Sequence, residues 1–330
     1  MEELRFVEHP PLMIAYTPLH VLIIERIISE RGINKFDLIY FSNSNSPKHR
    51  AYYDRLGGTA RNALFLQYRR RSIVNVTSIL SALRRARFLQ GGVGRIVFVA
   101  ALKQIPTRLI LLFVKNGVLH TYDDGWGNVS GEGYYYECSD GPITRLAELL
   151  MKRLSYRWLV ANIDCHVTIF KGLKNVFGHA PVVNHIDLFP SGEGRLRADA
   201  RAERLAVLLT APFSENGLVS AGREREIYKH AIEKFGVKMV IPHPGERSEK
   251  LADQSLHVLG GNKIAEEIIG DLVKGGMIVD LYGFASTTLL VLAQATGHVR
   301  CHSIDVPDLK INNEIMERLG VKICFLHDQI

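Results

Sequence analysis

Short apolar runs alternate along this chain with stretches of helical period. Leu12-Met13-Ile14-Ala15-Tyr16 has no polar break, as expected of a strand buried on both faces. The following stretch, 19–30, places apolar residues at 19, 22, 23, 24, 27 and 28, which is the period of a helix. The alternation continues with a strand at 36–41, a helix at 48–56 carrying Tyr52 and Tyr53, and a basic helix at 74–88. Strands follow at 95–100 and 118–122. An amphipathic helix is expected over 143–159, with Pro142 placed to open it, and then a strand at 165–170.

From 188 to 202 the sequence LFPSGEGRLRADARA turns polar and glycine-bearing. Beyond it the pattern restarts, with a strand at 205–209, a helix at 223–235, and strands at 237–241, 277–282 and 321–325. Alternating elements of these lengths predict an α/β protein with parallel sheets covered on both faces. We read a first domain at 1–190, a linker at 191–202 and a second domain at 203–330. Two such units predict a cleft, and ligands of open parallel sheets bind beyond the carboxyl ends of strands.

Composition adds bounds. The 330 residues suit two domains, and 47% hydrophobic residues suffice for two cores. The net charge of +7 favours an anionic partner, yet no nucleic-acid-binding motif accompanies it, so nucleic acid is not expected. Cys138, Cys165, Cys301 and Cys324 form no CxxC pair and have no zinc spacing with histidine, so they read as reduced thiols. The opening MEELRFVEHPPLMIAYTPLH lacks the basic start and unbroken apolar run of a signal peptide. An apolar run such as Leu109 to Val114 is far short of the roughly 20 residues of a membrane span. The expectation is a cytoplasmic protein, soluble or held peripherally at the inner membrane face. Its contact would be the arginines 69–71, 84, 85 and 87; a solvated helix face explains them nearly as well.

The candidate chemistry lies at strand ends. Tyr122-Asp123-Asp124-Gly125-Trp126-Gly127-Asn128 closes the strand at 118–122. In extended backbone the two carboxylates face opposite sides, so one can hold structure while the other faces a ligand. A carboxylate there is placed to take a proton from a bound hydroxyl, although an Asp-Asp-Gly turn carries no chemistry in itself. His243 sits between Pro242 and Pro244 at another strand end, either a titratable donor beside an anion site or a rigid turn. Gly283 ends a strand, and Ser286, Thr287 and Thr288 open a helix, which suits a phosphate or an ordinary cap. Thr210 and Glu215 lie on the loop after the first strand of the second domain. In the first domain the polar loops containing Thr17, and Asn43 and Asn45, would line the same cleft. There is no Asp-x-Asp metal motif at a strand end.

Taken in order, YDDGWGN (122–128), VTIFKGLKNVF (167–177), VIPHPGE (240–246) and YGFASTT (282–288) resemble bacterial sialyltransferases of glycosyltransferase family 52. That group includes lipooligosaccharide α-2,3-sialyltransferases and related capsule enzymes. The likeness runs from TPLH near residue 17 to the last strands, and IFKGLKN is its most specific part. It implies a GT-B-type architecture of two Rossmann-like domains facing a cleft. The donor would be a CMP-activated sugar held by the second domain, at Thr210, Pro244, Gly283, Ser286, Thr287 and Thr288. The acceptor, an oligosaccharide or glycolipid, would lie against Thr17, Asn43, Asn45, Asp123 and Trp126. The resemblance makes Asp124 the general base and gives His243 the leaving phosphate. A member's Asp near the SENG loop is replaced here by Phe213 and Glu215, so the base stands open between Asp124 and Glu215. Gly245 and Arg247 depart from an Arg after His-Pro, and His20 stands where many relatives have Gln. A monophosphate leaving group needs no bridging metal, so no cofactor is expected. Transfer of sialic acid from CMP-Neu5Ac to a galactoside is the expected reaction. The alternatives are a CMP-Kdo or UDP-hexose donor, or a nucleotide-sugar epimerase or binding protein. A homodimer is compatible with all of these.

Overall fold

The computed structural model describes residues 9–43, 46–68, 73–89, 94–114, 117–133, 135–136, 155–189, 203–244, 246, 256–294, 297–307, 309 and 313–326. The chain divides into two compact units, Met1–Leu188 and Phe189–Ile330.

The first unit contains β1 (Leu12–Ala15), α1 (Pro18–Arg31), β2 (Asp37–Ser42), α2 (Pro47–Gly57), β3 (Asn62–Gln67) and α3 (Ile73–Arg85). It continues with β4 (Ile96–Val99), α4 (Ile105–Phe113), β5 (Val118–Tyr122), α5 (Tyr156–Ala161), β6 (Cys165–Thr168) and β7 (Val182–His185). The strands form one seven-stranded parallel sheet in the order β3-β2-β1-β4-β5-β6-β7. The strand order reverses between β1 and β4, which is where such sheets open for ligands. All four residues of β1 are fully buried, as their unbroken apolar run requires. Helix α1 begins where Thr17 accepts the His20 N–H at 3.3 Å and Pro18 occupies the first turn. It ends at Gly32, whose φ of 59° places it in the left-handed region that suits glycine.

The second unit holds β8 (Arg204–Leu209), α6 (Ala221–Phe235), β9 (Met239–Ile241), β10 (His257–Val258), α7 (Ala265–Lys274) and β11 (Ile278–Gly283). After these come α8 (Thr287–Ala293), β12 (Val299–Asp305), α9 (Glu314–Arg318) and β13 (Lys322–Phe325). Its six strands are again all parallel, in the order β10-β9-β8-β11-β12-β13, and the order reverses between β8 and β11.

Each unit has its own core. In the first, Leu12, Ile14, Ile39, Phe41, Val97 and Val99 pack with Ile79 and Leu83 of α3. In the second, Leu208, Val240 and Ile304 pack with Ile227, Tyr228 and Ala231 of α6. Strands β3, β7, β10 and β12 and helix α4 were not expected from the pattern. The linker at 191–202, Arg69–Arg71 and most of the helix expected over 143–159 lie outside the described residues; α5 begins only at Tyr156. Among the described residues no helix is long and apolar enough to cross a membrane.

A buried charge network fastens the N-terminal edge of the first sheet. Asp37, fully buried, pairs with Arg95, itself 2% exposed. Arg61 adds Nε to Oδ1 at 3.0 Å and Nη2 to Oδ2 at 2.8 Å, and Asn62 donates to Oδ1 at 2.7 Å. Burial pushes the Asp37 carboxyl up, but the Arg61 and Asn62 hydrogen bonds and the Arg95 charge outweigh it and hold it below its ordinary value. Arg95 also donates to the carbonyls of Pro10 at 2.7 Å and Phe88 at 2.8 Å.

His120, on β5, is buried with Arg31 Nη1 3.3 Å from its Nδ1 and the Phe98 ring edge-on at 4.9 Å. Burial, then the Arg31 charge, pushes its pKa down to about 4. The unfolded chain binds this proton near pH 6.5, so between the two values it holds more protons than the folded chain. Stability from this group is therefore complete above about pH 6.5 and falls as pH drops toward 4. We expect the stability gap between wild type and His120→Gln to close by about 2 kcal/mol between neutral pH and about pH 4.5. Urea unfolding of both proteins at the two pH values measures it; a constant gap refutes it.

Candidate active site

Asp123 and Asp124 leave β5 on opposite sides. Asp123 is fully buried; Oδ2 accepts from the Thr168 hydroxyl and the Ile169 N–H, each at 2.7 Å, and Oδ1 from Asn175 Nδ2 at 2.7 Å. His166 Nε2 lies 3.3 Å from Oδ1. Asp123 thus locks β5 to the end of β6 and the loop after it. Asp123 is expected from the sequence on the acceptor side with Thr17 and Trp126, and also to hold the loop; its side chain is fully buried here.

Asp124 faces the other way, with 28% of its side chain exposed. Its N–H donates to Asn128 Oδ1 at 2.8 Å, which fixes the start of the loop. Oδ1 lies 2.6 Å from His20 Nε2, and Oδ2 accepts from the Tyr135 hydroxyl at 2.5 Å. Gly125 follows at φ 115° and ψ −144°, a conformation L side chains rarely adopt, and it turns the chain into a short 3-10 segment at Trp126–Asn128. At Gly127 an added Cβ would stand 3.0 Å from Cδ2 of Tyr135, so the missing side chain lets that ring approach. The two glycines therefore place the Tyr135 hydroxyl on Asp124.

His20 is fully buried in the first turn of α1, with Tyr122 edge-on at 5.4 Å between ring centroids. Tyr16 precedes that turn and bonds Thr107 of α4 through its hydroxyl at 2.8 Å. Burial, foremost, raises the Tyr16 pKa far above its ordinary value, so it stays a neutral phenol. Thr17 caps α1, Asn43 is exposed at the end of β2, and Trp126 is half-buried. Asn45 lies outside the described residues.

The second unit gathers Thr210 and His243 at the ends of β8 and β9. The His243 N–H is shared between Thr210 Oγ1 at 3.1 Å and Glu246 Oε2 at 3.2 Å, and the Thr210 hydroxyl donates to Glu246. Tyr228 of α6 donates to Glu246 Oε1 at 2.7 Å. His243 and Pro244 are exposed. Glu215 is exposed too; the carboxylate that orders its loop is the buried Glu224, which accepts from the Phe213 N–H at 3.0 Å and the Ser214 hydroxyl at 2.5 Å.

Gly283 ends β11 beside β8, and a Cβ there would lie 3.3 Å from Cβ of Leu209 and 3.2 Å from Cδ1 of Leu289. Ala285, in the turn that follows, is the only non-glycine with positive φ among the described residues, at 42°. Such strain persists where surrounding structure enforces it, commonly at ligand-binding turns. Ser286 caps α8 by accepting the Leu289 N–H at 3.3 Å. The Thr288 hydroxyl donates to Glu266 Oε1 at 3.0 Å, so the expected set of three phosphate-facing hydroxyls has one turned onto a carboxylate.

Sequence reasoning missed His20, Tyr135 and Glu246 as members of these constellations. The first was marked in the sequence only as a histidine in TPLH standing where many relatives have Gln, with no partner indicated. Among the described residues no group of three His, Cys, Asp or Glu side chains is arranged to hold a metal.

These two parallel sheets, each with its strand order reversing beside a loop of polar residues, are of the GT-B type. The family model for glycosyltransferase family 52 matches residues 34–306, so the chain belongs to that family. It is 26% identical over 241 residues to an N-acetyllactosaminide alpha-2,3-sialyltransferase of Neisseria meningitidis, covering 71% of this chain and 62% of that protein. It is 27% identical over 241 residues to a CMP-N-acetylneuraminate:beta-galactoside alpha-2,3-sialyltransferase of Pasteurella multocida, covering 72% and 73%. The fold is similar to S. aureus MnaA solved with UDP, with a TM-score of 0.55 at 10% identity over 96% of this chain and 83% of that one.

Proposed function

We propose that the protein is an inverting, metal-independent sialyltransferase. It moves N-acetylneuraminate from CMP-Neu5Ac to a hydroxyl of a galactoside-type acceptor on a cell-surface glycan, lipooligosaccharide or capsule. Family membership and the activities named for the two relatives support the class. The observation that carries the mechanism is Asp124, a part-exposed carboxylate at a strand's C-terminal end held by donors on both oxygens.

The acceptor oxygen attacks the anomeric carbon and passes its proton to Asp124, while the bond from that carbon to the CMP phosphate oxygen breaks. The transition state is oxocarbenium-like, so the enzyme's main tasks are proton removal and stabilisation of the leaving charge. His243 and the turn at Gly283–Thr287 are the groups we assign to the phosphate. Direct displacement inverts the anomeric centre. In this reading the enzyme works in the cytoplasm, and the exposed Arg84, Arg85 and Arg87 contact acidic lipid or glycolipid headgroups.

The test is a transfer assay with CMP-Neu5Ac and lactose in the presence of EDTA. Undiminished formation of sialyl-lactose is expected. Activity lost in EDTA and restored by Mg²⁺ or Mn²⁺ argues for a UDP-sugar donor. Product from CMP-Kdo alone names a different donor, and a sugar isomerised without any acceptor makes the protein an epimerase.

A further inference from the structure

We infer that His20 is a positioning residue for Asp124: a fixed hydrogen-bond donor that never carries the transferred proton. The inference rests on Asp124 as the base. A histidine beside an aspartate ordinarily invites the opposite assignment, with imidazole as base and carboxylate as its support. Here the backbone decides the direction. The Tyr16 N–H points at His20 Nδ1 at 3.0 Å. A backbone N–H only donates, so Nδ1 is bare and the ring proton sits on Nε2. Nε2 in turn meets Asp124 Oδ1 at 2.6 Å. The donor chain therefore runs one way, from the Tyr16 amide through His20 to Asp124.

Two consequences follow. Nε2 already holds its proton, so it has no lone pair with which to accept another from Asp124. Charging the ring would put a proton on Nδ1, facing the Tyr16 N–H inside a site from which water is excluded, since His20 is fully buried. The proton taken from the acceptor hydroxyl thus stays on the Asp124 carboxyl and leaves through its exposed side. His20 and Tyr135 between them fix the plane of that carboxylate, leaving its solvent-facing lone pairs for the acceptor.

Substitutions at residue 20 separate donor from base. A glutamine amide offers one acceptor for the Tyr16 N–H and one donor for Asp124, but it cannot titrate. His20→Gln should keep kcat within about 10-fold of the parent, whereas His20→Ala should lose about 10²-fold with the donor KM little changed. Equal loss in both variants, with both folded by circular dichroism, overturns the inference. A second readout needs no activity. In ¹⁵N-histidine-labelled protein near neutral pH, His20 should show a bare Nδ1 and a protonated Nε2. An Nδ1–H tautomer or an imidazolium overturns the inference even if the variants behave as expected. If Asp124 proves not to be the base, the turnover of its own variant shows it, while the tautomer measurement still decides the role of His20.

Discussion

Asp124→Asn should bind CMP-Neu5Ac as the parent does and transfer it about 10²-fold more slowly or worse. The change is nearly isosteric, and the site tolerates it. The Asn oxygen can accept from His20 Nε2, and its NH₂ can donate to the Tyr135 oxygen, since a phenol both donates and accepts. The loop therefore keeps its shape while the proton acceptor is gone. Calorimetry of donor binding beside a turnover assay gives the two numbers needed. The competing assignment makes Glu215 the base. Glu215 is exposed, and its neighbour Glu224 is the carboxylate that orders the loop. Near-normal turnover in Asp124→Asn together with a dead Glu215→Gln would transfer the role to Glu215.

The largest expected effect on stability belongs to Asp37. Removing it with Asp37→Ala leaves Arg95 buried at 2% exposure with its charge uncompensated and only the carbonyls of Pro10 and Phe88 as partners. Breaking a buried pair from one side typically costs about 3–5 kcal/mol. Both tryptophans, Trp126 and Trp158, lie in the first unit, so their fluorescence during urea unfolding follows that unit alone. A loss below about 1 kcal/mol would refute this, since the other charged neighbour, Arg61, carries the same sign as Arg95 and cannot compensate it. The double replacement Asp37→Leu with Arg95→Met should recover much of the loss, because it removes both charges together.

What the sequence made legible was local. The β1 strand was readable because burial on both faces leaves an unbroken apolar run, and the opposed directions of Asp123 and Asp124 followed from the period of a strand. Strand β12 escaped notice because Arg300, His302 and the buried Ser303 break up its apolar positions. Strand β7 escaped because all four of its residues are exposed at the sheet edge, so no burial pattern marks it. Helix α4 buries Thr107 and Arg108 and so reads as a broken apolar run. The site failed in the same way. His20 meets Asp124 across 104 residues of chain, and Tyr135 meets it only because Gly127 makes room. Nothing in either local stretch records the partner. Thr288 looked like a phosphate ligand because the acid that takes its hydroxyl, Glu266, stands 22 residues earlier on another helix.

The strand order carries a cost that falls during synthesis. Strand β1, Leu12–Ala15, ends in the middle of its sheet, between β2 and β4. Its partner on one side is complete at Ser42, but the other, Ile96–Val99, is translated much later. At about 5–20 residues per second, the second edge of β1 stands open for roughly 3–12 s on every ribosome. That edge belongs to four residues which the finished fold buries completely, and an unpaired apolar edge is a template for a neighbouring nascent chain. Yield of soluble protein should therefore depend on how crowded the translating ribosomes are, and on chaperones that cover this one short segment, more than on the stability of the finished molecule.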